Sequence, residues 1–413
     1  MSRQGIRDRN RKYITAGHFQ LIYVLALVTS LCVNFHYFFL SPKENAVKNN
    51  HRIPSPANLM RQKNLPNQDG EEFSACMLIM DDNHRLTEWM AYHYHVLPLR
   101  YLVVAIDPNS ETSPSLILDQ WRSQGMTIIE WNNTQIYGGK LKHYERLMNT
   151  QEQKPHHHRQ RQNMFVRNCL CHMKKNERTW VLLIDSDEYL LFNGKVGTKD
   201  NYAKIPYPSL QEEGAILKFL KTYRNDPQAK INKPCISIPR MLFGAVGSSD
   251  KEIQRMVPPG FDPHKFDTLQ YRKHIRRPVT YHHPLNGWGK SIIDVSRVPW
   301  SDFPSLIEAF QTVPYLVNIH EPMPKVCPRP FIPDNQTLFR INHYVGSWEA
   351  FSYRQDARQS EGRNISKWKL KADRDEQTDD NIRPWFVGFV DKYGPKNASS
   401  MLQYAGVLTP KYE

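Results

Sequence analysis

Four short apolar runs separated by stretches of helical periodicity constrain this chain more than any other feature. Ala75-Cys76-Met77-Leu78-Ile79-Met80, Tyr101–Ile106, Thr127–Trp131 and Trp180–Ile184 each read as a strand, the first as buried and the last as fully buried. Behind the first, Leu86, Trp89, Met90 and His93 recur at helical spacing. Behind the second, Leu116, Ile117, Gln120 and Trp121 predict a helix stopped by Gly125. Arg161 to Lys175, carrying Phe165, Val166, Cys169, Leu170 and Met173, predicts the helix that leads into the fourth run. The order β-α-β-α-β-α-β specifies an α/β fold with a mostly parallel central sheet covered by helices. Such sheets bind ligands at the carboxyl ends of their strands.

At that edge of the fourth run stands Asp185-Ser186-Asp187-Glu188. Two aspartates one residue apart reach a single hard divalent cation, and Mg²⁺ or Mn²⁺ held by one or two carboxylates completes its shell with water and phosphate oxygens. A cap or solvated turn explains the same four residues equally well. Asp107 and Asn109 leave the second run on the same edge and are candidate contacts to a base or ribose, although spacing alone favours an Asx-Pro turn. No Gly-x-Gly-x-x-Gly follows the first run and no P-loop occurs.

The second half is less regular. Cys235–Ile238 reads as a strand, followed by Met241-Leu242-Phe243-Gly244-Ala245-Val246-Gly247-Ser248-Ser249, where two glycines and two serines suit either a ligand loop or an ordinary one. Lys290–Ile293, Val317–His320 and Phe339–Tyr344 are short apolar segments with His or Lys at or near an end. His156-His157-His158 falls in what reads as a polar, basic loop of low complexity. Trp288 and Trp300 are candidates for stacking on sugars, with core packing as the alternative.

The front of the chain sets an address. Phe19 to Leu40 contains no Asp, Glu, Lys or Arg and is long enough to cross a bilayer core of about 30 Å. Arg3, Arg7, Arg9, Arg11 and Lys12 precede it against Asp8 alone, which keeps residues 1–18 in the cytosol and the remainder lumenal. Residues 41–73, with Pro42, Pro54, Pro56 and Pro66, read as a stem, 74–395 as the folded domain and 396–413 as a C-terminal tail. Asn-x-Ser/Thr triplets at Asn132, Asn335, Asn364 and Asn397 agree with a lumenal face. Cys76, Cys169, Cys171, Cys235 and Cys327 follow the apolar stretch, an odd set that leaves at least one thiol out of any intramolecular pairing. The net charge of +14 attracts anions in general. A lumenal address and the lack of any zinc finger, basic zipper or aromatic-basic repeat argue against nucleic acid.

Glu88-Trp89-Met90-Ala91-Tyr92-His93, Asp107-Pro108-Asn109-Ser110, Trp180 through Tyr189 and Ile341-Asn342-His343-Tyr344 together resemble the family 92 glycosyltransferases and the related family-2-like enzymes, over about residues 74–370. The resemblance implies a GT-A fold, inverting transfer from a nucleotide sugar to a glycan acceptor, Mn²⁺ as the metal, and a single-pass type II protein of the Golgi membrane. It implies a metal site of Asp187, Asp185 and His343, with Asp187 on the metal and Asp185 on the ribose or a metal-bound water. It places Glu88, Asp107 and Asn109 on the donor side, Glu88 as support near the nucleotide pocket. The family's Asp-Asn-x-Ser appears here as Asp-Pro-Asn-Ser. Lys290 and His320 fall in recognisable segments without an assigned role. A carboxylate base is required for the acceptor hydroxyl, and order along the chain makes Asp250 the first candidate, with Glu252 and Asp267 behind it. UDP-galactose is the first donor to test. Two other classes remain open: a lumenal metal-dependent phosphoester hydrolase and an inactive, membrane-anchored glycan-binding protein.

Overall fold

The computed structural model describes residues 72–138, 154–193, 205–227, 229, 231–255, 257–274, 288–310, 317–327, 337–354, 362–373, 377–409 and 411. The expected cytosolic tail at 1–18, the expected span at 19–40 and nearly all of the expected stem lie outside these residues, as does Asn335. Among the described residues no helix is long and apolar enough to cross a membrane.

The predicted strands form in order: β1 (Phe73–Ile79), β2 (Tyr101–Ile106), β3 (Thr127–Trp131) and β4 (Trp180–Leu183). They are followed by β5 (Glu188–Phe192), β6 (Cys235–Ile238), β7 (Arg240–Phe243), β8 (Lys273–His274), β9 (Lys290–Asp294), β10 (Phe339–Tyr344) and β11 (Gln377–Thr378). The first sheet runs β3-β2-β1-β4-β9-β6. Its β1 to β4 pairings are parallel, while β9 is antiparallel to both β4 and β6. A second sheet runs β11-β8-β7-β10-β5. Only the turn Ile184–Asp187 separates β4 in the first sheet from β5 in the second. The acidic group therefore sits where the chain passes from one sheet to the other.

Alternating side chains of the first sheet feed two cores. On one face Ala75, Met77, Leu102 and Val104 pack with the helices Asn83–Val96, Ser115–Ser123, Ala215–Tyr223, Pro384–Tyr393 and Pro395–Met401. On the other, Cys76, Val103, Val181 and Ile293 pack with the helix Lys154–Lys175. Two disulfides fasten this second core: Cys76–Cys169 ties β1 to that helix, and Cys235–Cys327 ties β6 to the segment 317–327. Cys171 is buried and has no disulfide partner.

Three expectations need correction. The stretch from 396 is no tail, since Pro395–Met401 is helical, Ala398, Met401, Leu402 and Ala405 are buried, and Gly406 N–H donates to the His84 carbonyl at 2.8 Å. The histidine run is no loop, because the helix starts at Lys154 rather than near Arg161. Leu116 is 69% exposed and Leu118 packs in its place. The apolar segment Val317–His320 forms a turn closed by the Asn318–Glu321 bridge, its Asn318 carboxamide accepting from the His320 and Glu321 N–H groups.

Candidate metal and diphosphate site

The turn after β4 is held by its own backbone and by Glu188. Glu188 N–H donates to the Asp185 carbonyl at 3.1 Å, and Asp185 N–H donates to Glu188 Oε2 at 2.9 Å. Glu188 then enters the second sheet opposite His343 of β10, and Tyr344 N–H donates to the Asp187 carbonyl at 2.9 Å. This pairing is what carries His343, distant in sequence, to Asp187.

The three carboxylates divide their work by what surrounds each of them. Glu188 has no exposed surface; its Oε1 takes Arg240 at 3.2 Å and its Oε2 takes Lys290 Nζ at 3.1 Å. It is an internal anchor. Asp185 Oδ2 accepts from the fully buried Lys290 at 2.8 Å. Asp187 Oδ2 meets Arg85 at 3.4 Å and His343 Nε2 at 3.5 Å. Burial alone would raise both aspartate pKa values, but Lys290 holds Asp185 below the usual carboxylate range, and His343 with Arg85 and Arg354 holds Asp187 well below it. Both are ionised at neutral pH. Lys290 keeps its charge because Asp185 and Glu188 outweigh its own burial.

Arg85 is itself fixed. Its Nη2 donates to the Val345 carbonyl at 2.8 Å and its Nε pairs with Asp267 at 3.0 Å. Gly346, at φ +76°, leaves room for the guanidinium, which a Cβ there would strike.

Around the aspartates opens a cavity of about 430 Å³, walled by Asp82, Arg85, Asp107, Arg161, Arg240, Arg354, Arg363 and Lys371, with His158, His320 and His343 among its imidazoles. A cavity so rich in cations suits a polyanion. The donor set also fits a hard cation: Asp185, Asp187 and Glu188 offer oxygens within 4.8 Å of one another, and the Oδ1 atoms of both aspartates accept no hydrogen bond from a described residue. Glu188 is consumed by Arg240 and Lys290, so the two aspartates are the available ligands.

Sequence-predicted residues are partly brought together. Asp107 lines the cavity, 3.6 Å from Arg161. Asn109 does not: its backbone and side-chain N–H groups donate to Asp107 Oδ1 at 3.0 and 3.1 Å, the Asx turn that spacing allowed. Glu88 is also absent from the walls. It is 1% exposed and accepts from Asp267 N, Thr268 N and Thr268 Oγ1 at 2.8, 2.9 and 2.6 Å, so it braces the chain that holds Arg85. Asp250 opens the short helix Asp250–Gln254, and its side chain lies outside what the structure describes. Glu252 is exposed and caps that helix through Ser249, and Asp267 faces Arg85 behind the cavity. The glycine-serine loop is pinned by backbone bonds, Gly244 to Lys273 and Ala245 to Ala372, and does not reach the walls. Arg85, Arg240, Arg354, Arg161 and His158 were not anticipated. Nothing local marks them, because sheet pairing and helix packing assemble them.

No family model matches the chain, and no curated protein matches it. Among solved structures, residues 1–349 of Staphylococcus aureus TarS align at 13% identity and a TM-score of 0.26, over 81% of each chain. A score at that level carries no argument about fold or function.

Proposed function

We propose that this protein transfers a sugar from a nucleotide-sugar donor to a glycan hydroxyl, using a divalent cation held by Asp185 and Asp187. The observation that carries this reading is the pair of ionised carboxylates with open Oδ1 atoms at the end of β4, inside a cavity walled by arginines. That combination serves a cation and a diphosphate together. When bound, the cation neutralises charge on the departing diphosphate. Arg85 and His343 hold Asp187 in place, Lys290 and Glu188 hold Asp185, and the remaining arginines of the wall supply donors where negative charge develops. Asp107 stands at the end of β2, on the edge suited to the ribose.

A two-metal phosphoesterase is disfavoured because the acidic cluster found among the described residues has three carboxylates, one of them engaged by Arg240 and Lys290, too few ligands for two ions. The resemblance to family 92 supports a GT-A enzyme with Mn²⁺ and galactose as the first sugar to test. The two disulfides support an oxidising compartment, and the uncharged stretch 19–40 supports a type II Golgi anchor.

The test is donor cleavage by the full-length protein across a panel of nucleotide sugars. Cleavage is expected with Mn²⁺, disappears in EDTA, and falls by about 100-fold or more in Asp187→Ala. If no donor is cleaved, or if Asp187→Ala binds nucleotide and metal as the wild type does, the transferase reading is wrong.

A further inference from the structure

The proposed reaction needs a group that takes the proton of the acceptor hydroxyl, and the carboxylates of the cavity are poorly suited to it. Asp82 is paired with Arg354 at 2.6 Å and Asp107 with Arg161 at 3.6 Å. Asp185 and Asp187 are committed to Lys290, Arg85 and His343.

His320 differs from all of them. Its Nδ1 lies 2.8 Å from the Gly289 carbonyl oxygen. A carbonyl only accepts, so Nδ1 bears the hydrogen and Nε2 of the neutral ring holds the lone pair. The ring lines the cavity, and no described residue hydrogen-bonds Nε2. Burial first, then Lys290 and Arg240, hold this histidine's pKa well below 6.5 against the opposing pull of Gly289 and Asp185, so it is unprotonated at neutral pH. Next to it stands Trp288, 40% exposed, with ring centroids 5.6 Å apart. Trp288-Gly289-Lys290 thus supplies an exposed indole, the carbonyl that orients His320 and the ammonium that holds Asp185.

We propose that Trp288 and His320 form the acceptor side of the site, the indole stacking on the incoming sugar and His320 Nε2 taking the proton of its attacking hydroxyl. This rests on the transferase reading above. The hydroxyl O–H bond breaks toward Nε2 while its oxygen bonds to the anomeric carbon. The bond from that carbon to the diphosphate breaks, and its electron pair leaves on the diphosphate oxygen. The imidazolium then returns its proton to water.

The experiment uses full-length protein with UDP-galactose and Mn²⁺, water or a pool of released N-glycans as acceptor, and UDP titration for affinity. In His320→Gln, kcat falls about 100-fold or more while UDP affinity stays within about threefold, and imidazole partly restores His320→Ala. Trp288→Ala raises the KM for N-glycans about tenfold, as the loss of one good aromatic contact does. Wild-type kcat in His320→Gln, or a comparable kcat loss in Asp250→Asn alone, overturns the base assignment. An unchanged acceptor KM in Trp288→Ala overturns the platform. Asp187→Ala reports separately: normal UDP and Mn²⁺ binding there removes the transferase reading whatever His320 does. A wild type that cleaves no nucleotide sugar of the donor panel overturns both.

Discussion

Glu188 has no exposed surface, yet it determines how Asp185 stands, because Lys290 reaches Asp185 while anchored on Glu188. Among the described residues, Lys290 is the only positive charge paired with both of them. Removing it as Lys290→Met leaves Glu188 buried with Arg240 as the cation still paired with it, and Asp185 without the ammonium that holds it. Breaking a buried ion pair from one side costs about 3–5 kcal/mol, which urea unfolding will measure. The double change Lys290→Met/Glu188→Met, matched in volume and free of charge at both positions, recovers part of that loss if the pair rather than packing is responsible. A double variant no more stable than the single one would refute the ion-pair account. The residue scale is also where the sequence was least informative. The acidic pair Asp185 and Asp187 was legible because its members stand one residue apart and follow a strand. Arg85 sits one turn before Glu88 on a helix, and Arg354 follows another helix, with no spacing that marks either as belonging to Asp187. Glu88 was read as a donor contact because its position in a motif carries no information about which way it faces.

Among the elements, the helix Asn83–Val96 is buried on every side, which explains why its apolar residues show only weak one-sidedness. It lies between the first sheet and the helix Pro384–Tyr393, whose Trp385 ring packs against Tyr92 at 5.5 Å. That outer helix approaches the chain at Gln211 so closely at Gly388 that a Cβ would strike the Gln211 backbone. Backbone cannot yield as a flexible side chain does. Gly388→Ala is therefore expected to lower stability by about 1–3 kcal/mol, offsetting any gain in helix propensity. Because residue 388 is remote from the cavity walls, nucleotide affinity of the folded fraction should match the wild type. A Gly388→Ala protein as stable as the parent would show that the helix shifts freely. The strand-helix order through β4 was legible because its strands are short, mostly apolar runs and the helix after β2 ends at a recognisable stop, Gly125, which takes φ +85°. The second sheet was not. Its β5 begins with Glu188 and its β7 with Arg240, polar residues whose charges are satisfied across the sheet rather than by water, so their segments lack the pattern of a buried strand.

For the molecule as a whole, stability depends on pH and on cross-links. Burial holds His93 at a pKa of about 3, against a modest pull from the Trp89 carbonyl, and His84 and His95 are lowered as well. Between pH 6.5 and about 3 the unfolded chain binds a proton at His93 that the native state refuses. Stability therefore falls on acidification, by about 1.4 kcal/mol per pH unit for each such histidine. His93→Phe should flatten that acid limb in urea midpoints taken at pH 7.5 and 5.5, and an unchanged slope would contradict the assignment. The disulfides act at every pH. Cys76–Cys169 and Cys235–Cys327 close separate loops with sequence separations of 93 and 92 residues. Loop-closure entropy assigns each about 4–5 kcal/mol, a large fraction of the roughly 5–15 kcal/mol that separates a native domain from its unfolded state. The two bridges differ in what else they hold. Cys76–Cys169 fastens a helix to the sheet, whereas Cys235–Cys327 ends the segment 317–327 that carries His320. Cys76→Ser/Cys169→Ser should lower Tm by roughly 10 °C, and Cys235→Ser/Cys327→Ser by a similar amount. Below its melting temperature, the second variant should also lose donor cleavage more steeply than UDP affinity, because its His320 segment has lost its anchor. Equal loss of both in the two variants would mean that the bridges act on stability alone.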